Sequence, residues 1–193
     1  MEPTSSSNKE TIIAIKTFVD AVSLPATDIN TYLTNSGLVY IKQQTIGTAV
    51  ASVSVSSAFS TDFDNYRIII TGMAASATVA TRFQLSNSTG ATYATSGWIF
   101  QYGGAFTSET ATAQTAALIG HCVSTGITTA VIEAQSPFLS TTSSFTGLSI
   151  SNTYGDDRRS FDSSTNSSTG FVFSASSGTI TGGTITVFGY RKS

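Results

Sequence analysis

The residues best suited to catalysis or metal binding are scarce in this chain. It contains one histidine, His121, and one cysteine, Cys122, side by side. A Ser–His–Asp triad would need His121 as its base, and a zinc or iron site would need several more His or Cys ligands. Neighbouring residues of a strand point to opposite faces, so these two cannot bind one metal ion. We therefore expect Cys122 to be a buried structural thiol, and we expect no internal disulfide.

The carboxylates form two small clusters, Asp62 with Asp64 and Asp156 with Asp157 and Asp162. Two carboxylates are enough for a glycosidase, but each cluster lies among turn-forming residues, where solvated carboxylates are common. No EF-hand spacing accompanies them, and no Gly-rich phosphate loop precedes a Lys-Ser or Lys-Thr pair. The sequence therefore predicts a protein that is not an enzyme and that needs no cofactor or metal.

The most charged stretch of the chain is Asp156, Asp157, Arg158 and Arg159. Because only 10% of all residues are charged, such a concentration can mark a contact surface, and we treat these four residues as a possible contact loop. The alternative is a solvated loop whose acids and arginines pair with one another.

Aromatic residues surround Gly103 and Gly104, namely Trp98, Phe100, Tyr102 and Phe106. Rings flanked by hydroxyl and amide side chains would suit a sugar-binding surface. However, Trp98, Phe100 and Tyr102 alternate with other residues, which favours three rings that face the core together.

The elements that must position these residues are strands. Ser and Thr make up about a third of the chain, 40% of residues are apolar, and the net charge is −2, a composition that favours a folded β-protein over a disordered one. The nine basic residues are scattered, which argues against nucleic acid as a partner. We find no signal peptide and no apolar run long enough for a membrane helix, so no membrane insertion is expected.

Hydrophobic periodicity of two begins at Leu38 and continues to the C-terminus, so residues 38–193 are expected to form one antiparallel β-domain, a sandwich or a barrel. The predicted strands are 38–46, 48–58, 66–71, 79–85, 97–104, 116–123, 130–134, 145–151, 170–175 and 184–190.

Residues 1–37 are expected to form an N-terminal arm with two short helices, Lys9 to Ser23 and Asp28 to Asn35. The first helix carries a heptad-like apolar seam, and its β-branched seam positions favour a coiled coil of three helices. We therefore expect this helix to hold a homotrimer or to attach the protein to its assembly. The seam and its widened face consist of Ile12, Ile15, Phe18, Val19 and Val22. The alternative is a helix that packs on its own β-domain.

Two segments of the β-domain resemble structural domains of bacteriophage virions. The ending Thr184-Ile185-Thr186-Val187-Phe188-Gly189-Tyr190-Arg191-Lys192 is similar to the closing strand of β-sandwich domains in phage tail fibres and related virion proteins, including those of marine cyanophages. The start Tyr40-Ile41, the alternating Ser/Val strand and Phe63-Asp64-Asn65-Tyr66-Arg67-Ile68-Ile69-Ile70 match the same pattern.

This resemblance implies an antiparallel β-sandwich, jelly-roll-like, which would follow the short α-helical segment that the spacing of residues 1–37 predicts. It also implies a trimer on a virion that is assembled in the host cytoplasm, with other tail or capsid proteins as neighbours and host surface polysaccharide or protein as a possible target. We expect a short trimeric tail fibre or adhesin. The alternatives are a capsid decoration (cement) protein and, from another class, a carbohydrate-binding module.

Overall fold

The computed structural model of the protein describes residues 37–192. The two predicted N-terminal helices, and with them the seam residues Ile12, Ile15, Phe18, Val19 and Val22, lie outside the described residues and stay predictions.

The described chain consists of strands joined by turns. The strands are β1 (Leu38–Thr45), β2 (Ser52–Val55), β3 (Phe63–Ala75), β4 (Val79–Leu85), β5 (Tyr93–Gln101), β6 (Phe106–Gln114), β7 (Ala117–Cys122), β8 (Thr128–Gln135), β9 (Ser143–Ile150), β10 (Tyr154–Asp162), β11 (Phe171–Ala175), β12 (Ile180–Thr181) and β13 (Thr184–Arg191).

These strands form two antiparallel sheets. The large sheet has the order β1-β13-β3-β8-β9-β10-β5-β6, with the short β12 also pairing with β3. The small sheet has the order β2-β11-β4-β7. The mainly β, sandwich-like class expected from the period-two pattern is confirmed.

The core lies between the inner faces of the two sheets. Ile68, Ile70 and Ile132 of the large sheet and Phe83 and Phe173 of the small sheet are all fully buried and belong to one apolar cluster. These residues alternate with more exposed ones along their strands, as expected when one face of each sheet is covered.

The sequence prediction missed two long strands, β6 and β10. Residues 106–114 read as Thr, Ser and Ala with little apolar character, and residues 154–162 read as a charged turn. Both nevertheless pair with β5 along most of their length. The expected loop at Asp156–Arg159 is therefore wrong, because these residues lie in the middle of β10.

Strand β7 of the small sheet packs against β9, β10 and β5 of the large sheet. Two glycines permit this close approach: a Cβ on Gly120 would overlap the hydroxyl of Ser149, and a Cβ on Gly147 would stand 2.9 Å from the carbonyl oxygen of Ile119. The side chains of β10 alternate between the two faces of the large sheet, and β7 covers those that point inward.

Candidate functional site

The four charged residues of β10 point alternately to opposite faces of the large sheet. Asp156 and Arg158 point inward and are buried, whereas Asp157 is half-buried and Arg159 is exposed on the outer face. The sequence prediction grouped all four, but the strand separates them into a buried pair and an outward pair.

Asp156 is the centre of a buried hydrogen-bond network between β10 and β7. Its Oδ1 lies 2.9 Å from Nδ1 of His121 and accepts from Nη2 of Arg158 at 3.0 Å. Its Oδ2 accepts from the backbone N–H of His121 and from the hydroxyl of Ser149, both at 3.0 Å. Burial by itself would raise the pKa of Asp156, but the hydrogen bonds and charge of His121, together with Arg158, outweigh it and lower the pKa.

Arg158 is fully buried and is held by two carboxylates. Besides donating to Asp156, Arg158 reaches across Gly97 of β5 and donates from Nη1 to Oε2 of Glu109 on β6, at 2.5 Å. A buried guanidinium is tolerated when its charge and donors are matched in this way. This network thus ties β6, β10 and β7 together.

The network does not have the geometry of a catalytic triad. Ser149 and His121 both bond to the carboxylate of Asp156, whereas a triad requires the serine to face the imidazole. Within residues 37–192 no group of three or more His, Cys, Asp or Glu side chains is placed to hold a metal ion. Cys122 is buried, as expected, and desolvation raises the pKa of its thiol.

The inward side chains of β5 and β10 satisfy the backbone of β7 at the edge of the small sheet. The hydroxyl of Thr95 accepts from the N–H of Leu118 at 3.1 Å, and the hydroxyl of Ser160 donates to the C=O of Leu118 at 3.3 Å. Asp156 does the same for the N–H of His121. Unpaired backbone groups in a buried edge are costly, so the inner polar residues have a structural role.

The outer face of the same strands carries an exposed aromatic cluster, which contradicts the prediction that these rings face the core. Trp98 and Phe100 are 47% and 48% exposed, and Tyr102, in the turn after β5, is 88% exposed. Phe106 stacks on Trp98 with ring centroids 4.7 Å apart and contacts Phe100 at 4.8 Å. The inward positions of β5 are instead taken by Tyr93 and Thr95, which are buried.

The exposed apolar surface continues across β10 onto β9. Leu148 and Ile150 of β9 are exposed on the same face as Phe100. Between them, Gly155 of β10 pairs with Phe100 on one side and with Ile150 on the other. Because Gly155 has no side chain, it forms the floor of an apolar groove of about 500 Å³, whose rim includes Asp157.

Below the groove the outer face is polar. Arg67 donates to Glu133 at 2.6 Å, and the hydroxyl of Tyr190 donates to the same carboxylate at 2.8 Å. Within residues 37–192, Asp157 and Arg159 form no ion pair. Among the described residues, the outer face thus combines an apolar groove with one carboxylate and one guanidinium that are not paired with each other or with another charged side chain.

Sequence reasoning found Trp98, Phe100, Phe106 and the charges of β10 but missed Leu148, Ile150 and the groove over Gly155. A signal was present, because Leu148 and Ile150 are spaced by two. It pointed the wrong way, since large apolar residues usually mark the covered face, and here the covered face carries Gly147 and Ser149 to admit β7.

Among the described residues no helix is long and apolar enough to span a membrane. Comparisons of the chain with family models, with curated proteins and with solved structures found no match.

Proposed function

We propose that this protein is a structural subunit of a bacteriophage virion, a short trimeric tail fibre or adhesin whose β-domain makes contacts outside its own chain. The observation that carries this proposal is the contiguous exposed apolar surface on the outer face of the large sheet, around Trp98, Phe100, Leu148 and Ile150. Monomeric soluble proteins rarely leave such a surface uncovered, and it marks interaction sites.

The strand order supports a jelly-roll fold for the domain. Four pairs are nested in the chain, β1 with β13, β2 with β11, β3 with β8 and β4 with β7, and they fall alternately into the two sheets. Such nesting arises when two long antiparallel segments of the chain are rolled up together, so that successive strand pairs fall into alternate sheets. This is the jelly roll, which is frequent in viral capsid proteins and in lectins.

The exposed surface belongs to strands added to these eight. The hairpin β5–β6 is inserted between β4 and β7, and the hairpin β9–β10 between β8 and β11. Both insertions join the large sheet beside β8 and widen it. A common architecture with a specialised surface on inserted hairpins suits a subunit whose contacts define its role.

In the proposed assembly the N-terminal residues Ile12, Ile15, Phe18, Val19 and Val22 hold the trimer or attach it to other virion proteins. The low charge and the hydroxyl-rich strands favour a subunit of an assembly over a protein that is free in solution. The proposed target of the exposed β-domain is a host surface polysaccharide or protein.

The test is to locate the protein on purified particles of the phage that encodes it. Gold-labelled antibodies against the β-domain, viewed by electron microscopy, should mark the tail, and the same antibodies should block adsorption to host cells. Label distributed over the capsid would replace the fibre with a decoration protein. Particles that lack the protein altogether would refute a virion role.

A further inference from the structure

The outward residues of β10 form a self-complementary series. Gly155, Asp157, Arg159 and Phe161 point to the outer face in this order, one small, one acidic, one basic and one large. The series is symmetric about Arg158, because the small residue and the large one are equally far from it, as are the acid and the base.

We propose that two copies of this chain pack face to face through the outer face of the large sheet, with their β10 strands antiparallel. The two-fold axis lies in the plane of the interface, runs perpendicular to β10 and crosses the strand at Arg158. Asp157 then faces the second copy's Arg159, and Gly155 faces the second copy's Phe161. Because the contact is two-fold symmetric, each of these residue pairs occurs twice in the interface.

Phe161 has the form of a knob for the groove over Gly155. Its side chain is 47% exposed, although it is large and apolar. The groove of about 500 Å³ is lined by Phe100, Leu148 and Ile150, which are themselves exposed. In the proposed contact each copy inserts one ring into the groove of the other, which buries both.

The strands on either side of β10 are complementary under the same operation. On β5, Trp98 faces the second copy's Ser96 and Phe100 faces the second copy's Ala94, because Trp98 and Ser96 pair with Asp157 and Arg159 across β10. Large residues therefore meet small ones, as in interdigitating sheet layers.

Strand β9 shows the same relation. Leu148 and Thr146 pair with Asp157 and Arg159 of β10, and Ile150 and Ser144 pair with Gly155 and Phe161. The two-fold operation therefore places Leu148 against the second copy's Thr146 and Ile150 against the second copy's Ser144. No pair on this strand brings two bulky side chains into collision.

Charge selects this orientation over the other two-fold arrangement of stacked sheets. An axis along β10 would place Asp157 against the second copy's Asp157 and Arg159 against the second copy's Arg159, and like charges in an interface are strongly unfavourable. The outward ion pair nearby, Arg67 with Glu133, is already satisfied within one chain.

The surface is large enough for a specific contact. The contact covers the five strands β8, β9, β10, β5 and β6. At a spacing of about 4.8 Å between strands, and over eight residues of about 3.4 Å each, they span roughly 650 Å² of projected sheet area. This is close to the ~800 Å² per partner of a standard-size interface. The inference goes beyond the proposed function, because it concerns the pairing of copies and requires no virion.

Charge-swap variants of the full chain test the pairing by sedimentation velocity and light scattering from nanomolar to micromolar concentration. Asp157→Arg and Arg159→Asp each create two like-charge contacts, so we expect each to halve the native mass at concentrations where the unmodified chain is paired. The double variant D157R/R159D restores opposite charges at both contacts and should regain the doubled mass.

The matched control is Asp62→Arg, the same charge change at an exposed turn residue far from β10 in sequence, which should leave the mass unchanged. Circular dichroism verifies that every variant is folded. The pairing is overturned if the single variants keep the mass of the unmodified chain, or if the folded double variant fails to regain it. Because only the factor of two is read, a failure of the N-terminal trimer seam would leave the outcome of this test unchanged.

Discussion

At the scale of single residues, the buried pair of Asp156 and Arg158 has the largest expected energetic effect. We predict that Asp156→Asn lowers the free energy of unfolding by about 3–5 kcal/mol, because it leaves a fully buried guanidinium without one of its two carboxylates. Urea unfolding followed by circular dichroism, at a concentration where copies are separate, measures the change.

The matched control is the exposed ion pair of Asp64 and Lys192, whose charged atoms are 2.8 Å apart. Asp64→Asn should cost less than about 1 kcal/mol, because exposed pairs contribute little. Equal losses for the two variants would mean that the buried network has no special role.

The acid dependence of stability gives Asp156 a second signature. Its pKa is lowered in the folded protein, so its contribution is present above the unfolded pKa and is lost as the pH falls through the folded value. The stability gap between the unmodified chain and Asp156→Asn should therefore be largest near neutral pH and should shrink below about pH 4. A gap that is constant down to acid pH would contradict the assignment.

Residue-level prediction from sequence was correct for Cys122 and wrong for Trp98 and Phe100. Period-two spacing tells which residues share a face of a strand, but it does not tell which face is covered. In β5 the covered face carries Tyr93, Thr95 and Gly97, and the large rings are left outside. That assignment depends on where β7 packs, which is a long-range contact that the local pattern does not encode.

At the scale of elements, the close approach of β7 to β9 depends on glycine. We predict that Gly147→Ala lowers the free energy of unfolding by about 1–3 kcal/mol, since its Cβ would stand 2.8 Å from the side chain and 2.9 Å from the backbone oxygen of Ile119. Denaturant titration at a concentration where copies are separate measures it.

Gly155→Ala is the control on the neighbouring strand, because the nearest atom to its Cβ would lie at an ordinary 3.8 Å. We expect a change within about 0.5 kcal/mol for this variant. If Gly147→Ala is tolerated equally well, β7 is not packed as closely on β9 as we describe.

The elements that the sequence predicted best are those with an alternating apolar pattern. The strand over 79–85 has the expected bounds, and the alternating Ser/Val strand is confirmed in a shorter form, Ser52–Val55. Strands β6 and β10 were missed because their inward positions are occupied by polar or small residues such as Glu109, Asp156 and Arg158. These residues are stabilised by one another rather than by an apolar core, so no hydrophobic period marks them.

At the scale of the whole molecule, the sequence sufficed for the class but not for the arrangement of strands. Low charge and period two indicated an antiparallel β-domain, whereas the sheet order joins strands as distant as β1 and β13. Such pairings depend on the complete set of tertiary contacts. The widened large sheet, with its exposed outer face, follows from two inserted hairpins whose position no local motif specifies.

The central claim is that this chain works as a subunit of an assembly, and its native mass tests that claim most directly. One chain has a mass of 20.1 kDa. Light scattering of the full chain at micromolar concentration should give a multiple of three chains: three if only the N-terminal seam forms, and six if the outer faces also pair. A mass of 20.1 kDa, from protein shown to be folded, would contradict the claim.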